Sequence, residues 1–124
     1  MPDTRKSIRP AIAVEKPAET AEESFQNEVL RPILKLQNEL LLAIFRHFME
    51  KRKTAFHKMP RLRQLQQIEQ ILSKDNSLRK LLLGAVIGQF TPEEYDTFLH
   101  QEAEATRRIM AMMAQRLQDQ VESV

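Results

Sequence analysis

The chain contains no cysteine. That excludes a disulfide framework, a thiolate metal site and a cysteine nucleophile, and it leaves the redox compartment open. Glycine is almost as scarce: Gly84 and Gly88 both fall inside a helical pattern, so no glycine-rich loop can cradle a phosphate. Tryptophan is absent and aromatic residues make up 6% of the chain, which leaves little for stacking on nucleic-acid bases. The longest uncharged apolar runs, Leu40 to Phe45 and Leu81 to Ile87, fall far short of the ~20 residues a membrane span needs. Near the N-terminus the apolar run Ala11 to Val14 is followed at once by charge, so no secretory signal is expected. A cytoplasmic protein without membrane contact is the expectation.

What is present is the balance of one globular domain: 124 residues, 42% hydrophobic and 29% charged, too short for two independent cores. The net charge of +2 implies no nucleic-acid partner by itself, but its distribution is uneven. Between residues 46 and 63 stand Arg46, Lys51, Arg52, Lys53, Lys58, Arg61 and Arg63 against Glu50 alone. Between residues 93 and 104 stand Glu93, Glu94, Asp96, Glu102 and Glu104 with no lysine or arginine. The molecule is expected to be electrically polarised.

Residues 1–22 hold three of the six prolines and show no period, as a flexible arm able to dock on the body or on a partner would. Residues 23–124 form the expected helical domain. From Ser24, a possible N-cap, the residues Phe25, Val29, Ile33, Leu36, Leu40, Ile44 and Phe48 recur at helical spacing. They predict one long helix to about residue 56, kinked or begun near Pro32. Pro60 enforces a break. A second helix is expected over 61–73 and a third over 78–90, capped by Asn76 or Ser77. The third is apolar nearly all round and so should be buried. Its two glycines, one turn apart, cost about 2 kcal/mol relative to alanine, and a close crossing by a neighbouring helix would offset this. Thr91-Pro92-Glu93-Glu94 is a capping box with proline at the first helical position. The last helix is predicted to continue for almost thirty residues along Tyr95, Leu99, Ala103, Thr106, Met110, Met113, Leu117 and Val121. The fold class expected is all-α: a small bundle of about four helices, two long ones enclosing two short ones.

The motifs that could carry chemistry are few. Asp96, His100 and Glu104 share a helical face at i, i+4 and i+8, but that face lies opposite the apolar stripe and no Glu-x-x-His pair accompanies it. It is expected to be a solvated face, with no metal site. His47 and Glu50 could pair, yet Ser24, Ser73, Ser77 and Ser123 all fall at predicted helix ends or the terminus. No nucleophile joins them, so neither catalytic nor cofactor-binding residues are assigned. Met110, Met112 and Met113 suit core filling better than an adaptable surface.

Two features point outward. Leu42 interrupts the polar face that Glu28, Arg31, Lys35, Glu39 and Arg46 would form. Either the N-terminal arm or a second chain would cover this face, and Leu42 and Phe45 are therefore the expected oligomer-interface residues, a symmetric dimer being the commonest arrangement. The basic stretch 46–63 exceeds what the C-terminus of a helix favours, since Arg61 and Arg63 stand in the first turn of the next helix, where cations are unfavourable. Arg46, Lys51, Arg52, Lys53, Lys58, Arg61 and Arg63 are thus the expected anion- or partner-binding residues. RNA or DNA phosphates could be met there without base specificity.

At Phe25-Gln26-Asn27, at Leu30 through Gln37 (LRPILKLQ) and at Ile87-Gly88-Gln89-Phe90-Thr91, the chain resembles a group of small uncharacterised bacterial helical proteins. Some of these carry the label glyoxalase. The resemblance covers about residue 24 to the C-terminus and implies an all-helical fold, with glyoxalase activity where the label applies. Metal-dependent glyoxalases are built from strand-rich repeats with His and Glu ligands on the sheet, and no strand-like alternation occurs here. The residues favour a non-enzymatic helical interaction module, a homodimer or a small subunit of a larger assembly. Phosphate binding through the basic corner is the alternative, and a glyoxalase-type enzyme the third reading.

Overall fold

A computed structural model describes residues 4–12 and 20–124. All its regular elements are helical, with no strand among the described residues. In chain order they are α1 (Thr4–Ser7), α2 (Ala21–Phe25), a π-helical turn (Gln26–Leu30), α3 (Arg31–Leu36) and α4 (Asn38–Lys51). A 3₁₀ turn (Phe56–Lys58), α5 (Arg61–Lys74), α6 (Asn76–Ile87), α7 (Pro92–Leu99) and α8 (Glu102–Asp119) follow, and a last 3₁₀ turn spans Val121–Ser123. No helix among the described residues is long and apolar enough to cross a membrane.

The expected count of about four helices is not met, because both long helices are broken. Thr20, not Ser24, caps the first, its hydroxyl accepting from the Glu23 amide at 3.1 Å. Pro32 has no N–H to give and its ring crowds the carbonyl four residues back. The turn before it is correspondingly wide, with the Arg31 amide bonding to the Gln26 carbonyl. A second break falls at Gln37 (φ −90°, ψ 5°), whose side chain donates to the Ala85 carbonyl at 3.0 Å. The buried face departs from the expected stripe on both sides of this break: Leu30 and Leu34 are buried before it while Val29 is half-buried, and beyond it the buried face is Leu41, Leu42, Phe45 and Met49. Of the expected continuation, Leu40 is exposed and Ile44 and Phe48 are half-buried.

Helix α4 also ends earlier than expected. The Lys53 amide bonds to the Glu50 carbonyl and the Thr54 amide to the Met49 carbonyl, the double closure of a Schellman motif. Lys53 occupies the left-handed position (φ 55°) that usually takes glycine.

Helix α6 is capped by Asp75, not by Asn76 or Ser77: its carboxylate accepts from the Leu78 amide at 2.9 Å. Only part of this apolar helix is covered. Leu78, Leu82 and Val86 are buried, whereas Leu81 is 58% exposed. A Cβ at Gly84 would meet nothing within 4 Å, and one at Gly88 would meet only carbonyls of its own helix. No neighbouring helix crosses there, contrary to the expectation drawn from the glycines.

The last helix breaks at His100–Gln101, where Gln101 adopts φ −140°, ψ 38°. No proline or glycine marks the place. The His100 ring nitrogen Nδ1 lies 2.7 Å from the Asp96 carbonyl that ends α7. In α8 the buried face is Ala105, Ile109, Met110, Met113 and Leu117, in line with a core role for Met110 and Met113. The core lies where α3, α4, α5, α6 and α8 meet, with Ile33, Phe45, Ile68, Leu82, Ile109 and Met113 fully enclosed. A polar tie closes one end: Asn38 and Gln120 exchange hydrogen bonds of 2.8 and 2.7 Å, and Arg116 also donates to Asn38.

Candidate functional site

Among the described residues one carboxylate is buried and several large apolar side chains are left in water, and these exceptions define the candidate surfaces. The buried carboxylate is Glu94. The capping box forms as expected, with the Thr91 hydroxyl accepting from the Glu94 amide at 3.2 Å and the Glu94 carboxylate accepting from the Thr91 amide at 2.8 Å. From the N-terminal arm, Arg9 adds two further bonds to the same carboxylate, at 2.7 and 2.8 Å, and a third to the Gln89 carbonyl. Both side chains of the pair are buried. Burial alone would raise the Glu94 pKa. Hydrogen bonds from Arg9 and the Thr91 amide, with the charges of Arg9 and Lys6, outweigh burial and hold it below the ordinary carboxylate value. The arm is thereby docked on the body through Arg9.

This latch sits on the inward face of α7. Glu94 and Phe98 are buried, with Phe98 packed against Phe90 at 5.7 Å between ring centres. Tyr95 and Leu99, expected in the core, are each 44% exposed. They stand one turn apart, and Glu93 and Asp96 beside them are also exposed. The stack of Asp96, His100 and Glu104 is not assembled, because the break at Gln101 separates Glu104 from the other two. Glu104 is held instead by Arg107 and Arg108.

The second exposed apolar region lies between α4 and α6. The Gln37–Ala85 hydrogen bond joins one pair of ends and a groove spans the rest. About 670 Å³ in volume, it is floored by Ala43, Ile44, Phe48, Leu78 and Leu81. Its rim carries His47, Lys51, Arg52, Asp75 and Ser77. The guanidinium of Arg52 lies over the Phe48 ring at 5.3 Å, a cation–π contact that holds its charge at the groove mouth. Asp75 is the sole carboxylate lining the groove, and its oxygen is engaged by the Leu78 amide. Leu40, 47% exposed, continues the apolar surface one turn back from Ile44, and the bare backbone of Gly84 continues it beyond Leu81.

The expected interface residues Leu42 and Phe45 do not belong to this surface. They are 3% and 0% exposed within the single chain, because the buried face of this helical stretch runs through Leu30, Leu34, Leu41, Phe45 and Met49. The chain itself supplies the cover that Leu42 requires, which leaves neither residue accessible to a second chain. Arg46, Lys51, Arg52, Lys53, Lys58, Arg61 and Arg63 are all exposed. Among the described residues one of the seven has a carboxylate within ion-pair distance: Arg61, 3.7 Å from the exposed Glu122. They point apart, Arg52 toward the groove, Arg61 toward Glu122 and Arg63 alongside Gln66 and Gln67 on α5. Sequence reasoning missed the groove because its two rows of side chains were both assigned to the core. The uncovered Gly84, on a helix with a spare leucine, was the signal that could have found it. No protein-family model matches the chain, and comparison with curated proteins and with solved structures finds no similar protein.

Proposed function

We propose that the protein is a non-enzymatic helical interaction module that docks a partner helix in the groove between α4 and α6. The observation that carries this reading is an apolar row in which Leu40 and Leu81 are exposed and Ile44 and Phe48 half-buried, beside a backbone left bare at Gly84. Solvent contact of large apolar side chains is unfavourable, by about 25 cal/mol per Å², and a contiguous apolar groove with a charged rim is the form that receives an amphipathic helix. Taken pairwise, the broken segments make a small bundle of two long rods around two short ones. Its outer side, not its core, does the binding.

Phosphate binding at the basic corner is the second reading. It is favoured by the seven exposed cations, of which Arg61 alone is near a carboxylate among the described residues. The two readings separate in one affinity experiment on the native protein with mass spectrometry and nuclease-treated controls. Proteins retained by the parent after nuclease treatment, and lost with Leu81→Glu, bear out the groove. Retention abolished by nuclease and by Arg61→Glu with Arg63→Glu transfers the function to the basic corner. Identical retention by the parent and Leu81→Glu overturns the groove reading.

A further inference from the structure

Two helix faces of this molecule are apolar, regularly spaced and left in water by their own chain, and they are opposite in charge. One is the α4–α6 groove, whose mouth carries Lys51 and Arg52 against a single engaged carboxylate. The other is the outward face of α7. There Tyr95 and Leu99 stand at i and i+4, the spacing of a helix that inserts into a groove. Exposed Asp96 flanks them, exposed Glu93 lies in the first turn of the same helix, and Glu102 follows just beyond the helix end. Of the nearby cations of the arm, Arg9 is committed to the buried Glu94. His100 lies near Asp96, its Nδ1 3.8 Å from the carboxylate.

We infer that the occupant of the α4–α6 groove is α7 of a second copy of this chain, with Tyr95 and Leu99 on the groove floor and Glu93 and Asp96 against Lys51 and Arg52. This rests on the reading of the groove as a docking site and names its partner. The arm takes part indirectly. Arg9 binds the inward face of α7 at Glu94, beside Phe98, and Tyr95 and Leu99 stand on the uncovered part of the same helix, so the seated arm and the ligand face share one element. The contact is heterologous, one surface meeting a different one, and it therefore closes into a ring or continues as a chain according to the rotation between copies. Its charged rim makes association weaker as salt rises.

The test uses two variants of the full chain, each altered only at exposed positions: Leu81→Glu, which spoils the groove, and Tyr95→Ser with Leu99→Ser, which spoils the α7 face. Circular dichroism and thermal unfolding first establish that both keep the helical content of the parent. Analytical ultracentrifugation should then show the parent self-associating at micromolar concentration, less so as salt is raised, and each variant monomeric. An equimolar mixture of the two variants should form a one-to-one heterodimer, because one intact groove and one intact α7 face remain between them.

Persistent self-association of the α7 variant would overturn the inference, since copies would then be meeting through some other pair of surfaces. So would failure of the two variants to complement one another. A parent that stays monomeric at several hundred micromolar would also overturn it. In that last case the groove remains a docking site if Leu81→Glu still abolishes nuclease-resistant capture of other proteins, and the docking reading itself falls if it does not.

Discussion

The two ends of this small molecule break the rule of burial in opposite directions. Around the start of α7 a carboxylate and a guanidinium are buried together; along α4 and α6 leucines stand in water. At the α7 end the exception is satisfied from within the chain: the Glu94 carboxylate accepts from Thr91 and Arg9, and neither charge is left alone. In the groove nothing in the chain satisfies the exception. A buried charge must be compensated internally or the fold fails, whereas an exposed leucine costs little in the monomer and can wait for a partner. The first exception is therefore structural and the second is available for function.

The largest effect is expected where the charge is buried. Replacing Glu94 by alanine removes the capping box and strands Arg9, and breaking a buried pair from one side costs about 3 kcal/mol. Chemical denaturation read by circular dichroism should show a loss of this order, with Leu81→Ala in the groove costing far less. Equal costs at the two sites would erase the distinction between them.

Acid should expose the same asymmetry. The folded-state pKa of Glu94 lies below its ordinary value of 4.5. Its contribution to stability is therefore present above that value and lost as pH falls through the lower, folded-state pKa. Between neutral pH and about 5 the contribution should be constant, and below pH 4.5 the parent should lose stability more steeply than Glu94→Gln. The glutamine variant can still accept from the Thr91 amide but carries no titrating group. Parallel acid limbs for the two proteins would show that Glu94 is not coupled to Arg9 in solution.

How much of this was legible in the sequence depends on whether the deciding interaction is local. The all-helical class, the span of α5 and the capping box at Thr91 follow from contacts within a few residues, and all three were readable. Which face of α4 turns inward was not, because it depends on packing against helices distant in sequence, with Gln37 bonded to Ala85, 48 positions away. The same holds for the burial of Glu94, whose carboxylate is enclosed by Arg9, 85 positions away. Contacts of this range decide which helix face is covered, so Leu42 went from an expected surface to the core, while Leu40, Tyr95 and Leu99 went the other way. Both faces of the inferred self-contact became visible only through that packing.

Gly84 gives a sharper, smaller test of the groove. Within the monomer its missing side chain serves no packing, since an added Cβ would meet nothing within 4 Å. Glycine in a helix interior costs about 1 kcal/mol relative to alanine. Gly84→Ala should therefore raise stability by about that amount, measured by denaturant midpoint at unchanged slope. A partner helix seated close to the backbone should at the same time tolerate the extra methyl poorly, so that stability rises while association weakens. A variant that gains stability and associates as before would move the contact away from Gly84, toward the Leu40 end of the groove.

The smallest effect is expected at Lys53, where α4 ends beside the groove. The Schellman closure there holds a lysine in the left-handed region, which costs a residue with a Cβ about 1–2 kcal/mol. Glycine would relieve that strain but would add about 0.5–1 kcal/mol of chain entropy to be lost on folding. The difference leaves Lys53→Gly more stable by about 0.5 kcal/mol, a shift that equilibrium denaturation can resolve. Because Lys51 and Arg52 hold the charge at the groove mouth, and Lys53 does not line it, self-association of this variant should keep the salt dependence of the parent. A lysine tolerated here at a stability cost, with no loss of association on its removal, would mark Lys53 as part of the fold's local compromise and leave the groove's electrostatics to its two neighbours.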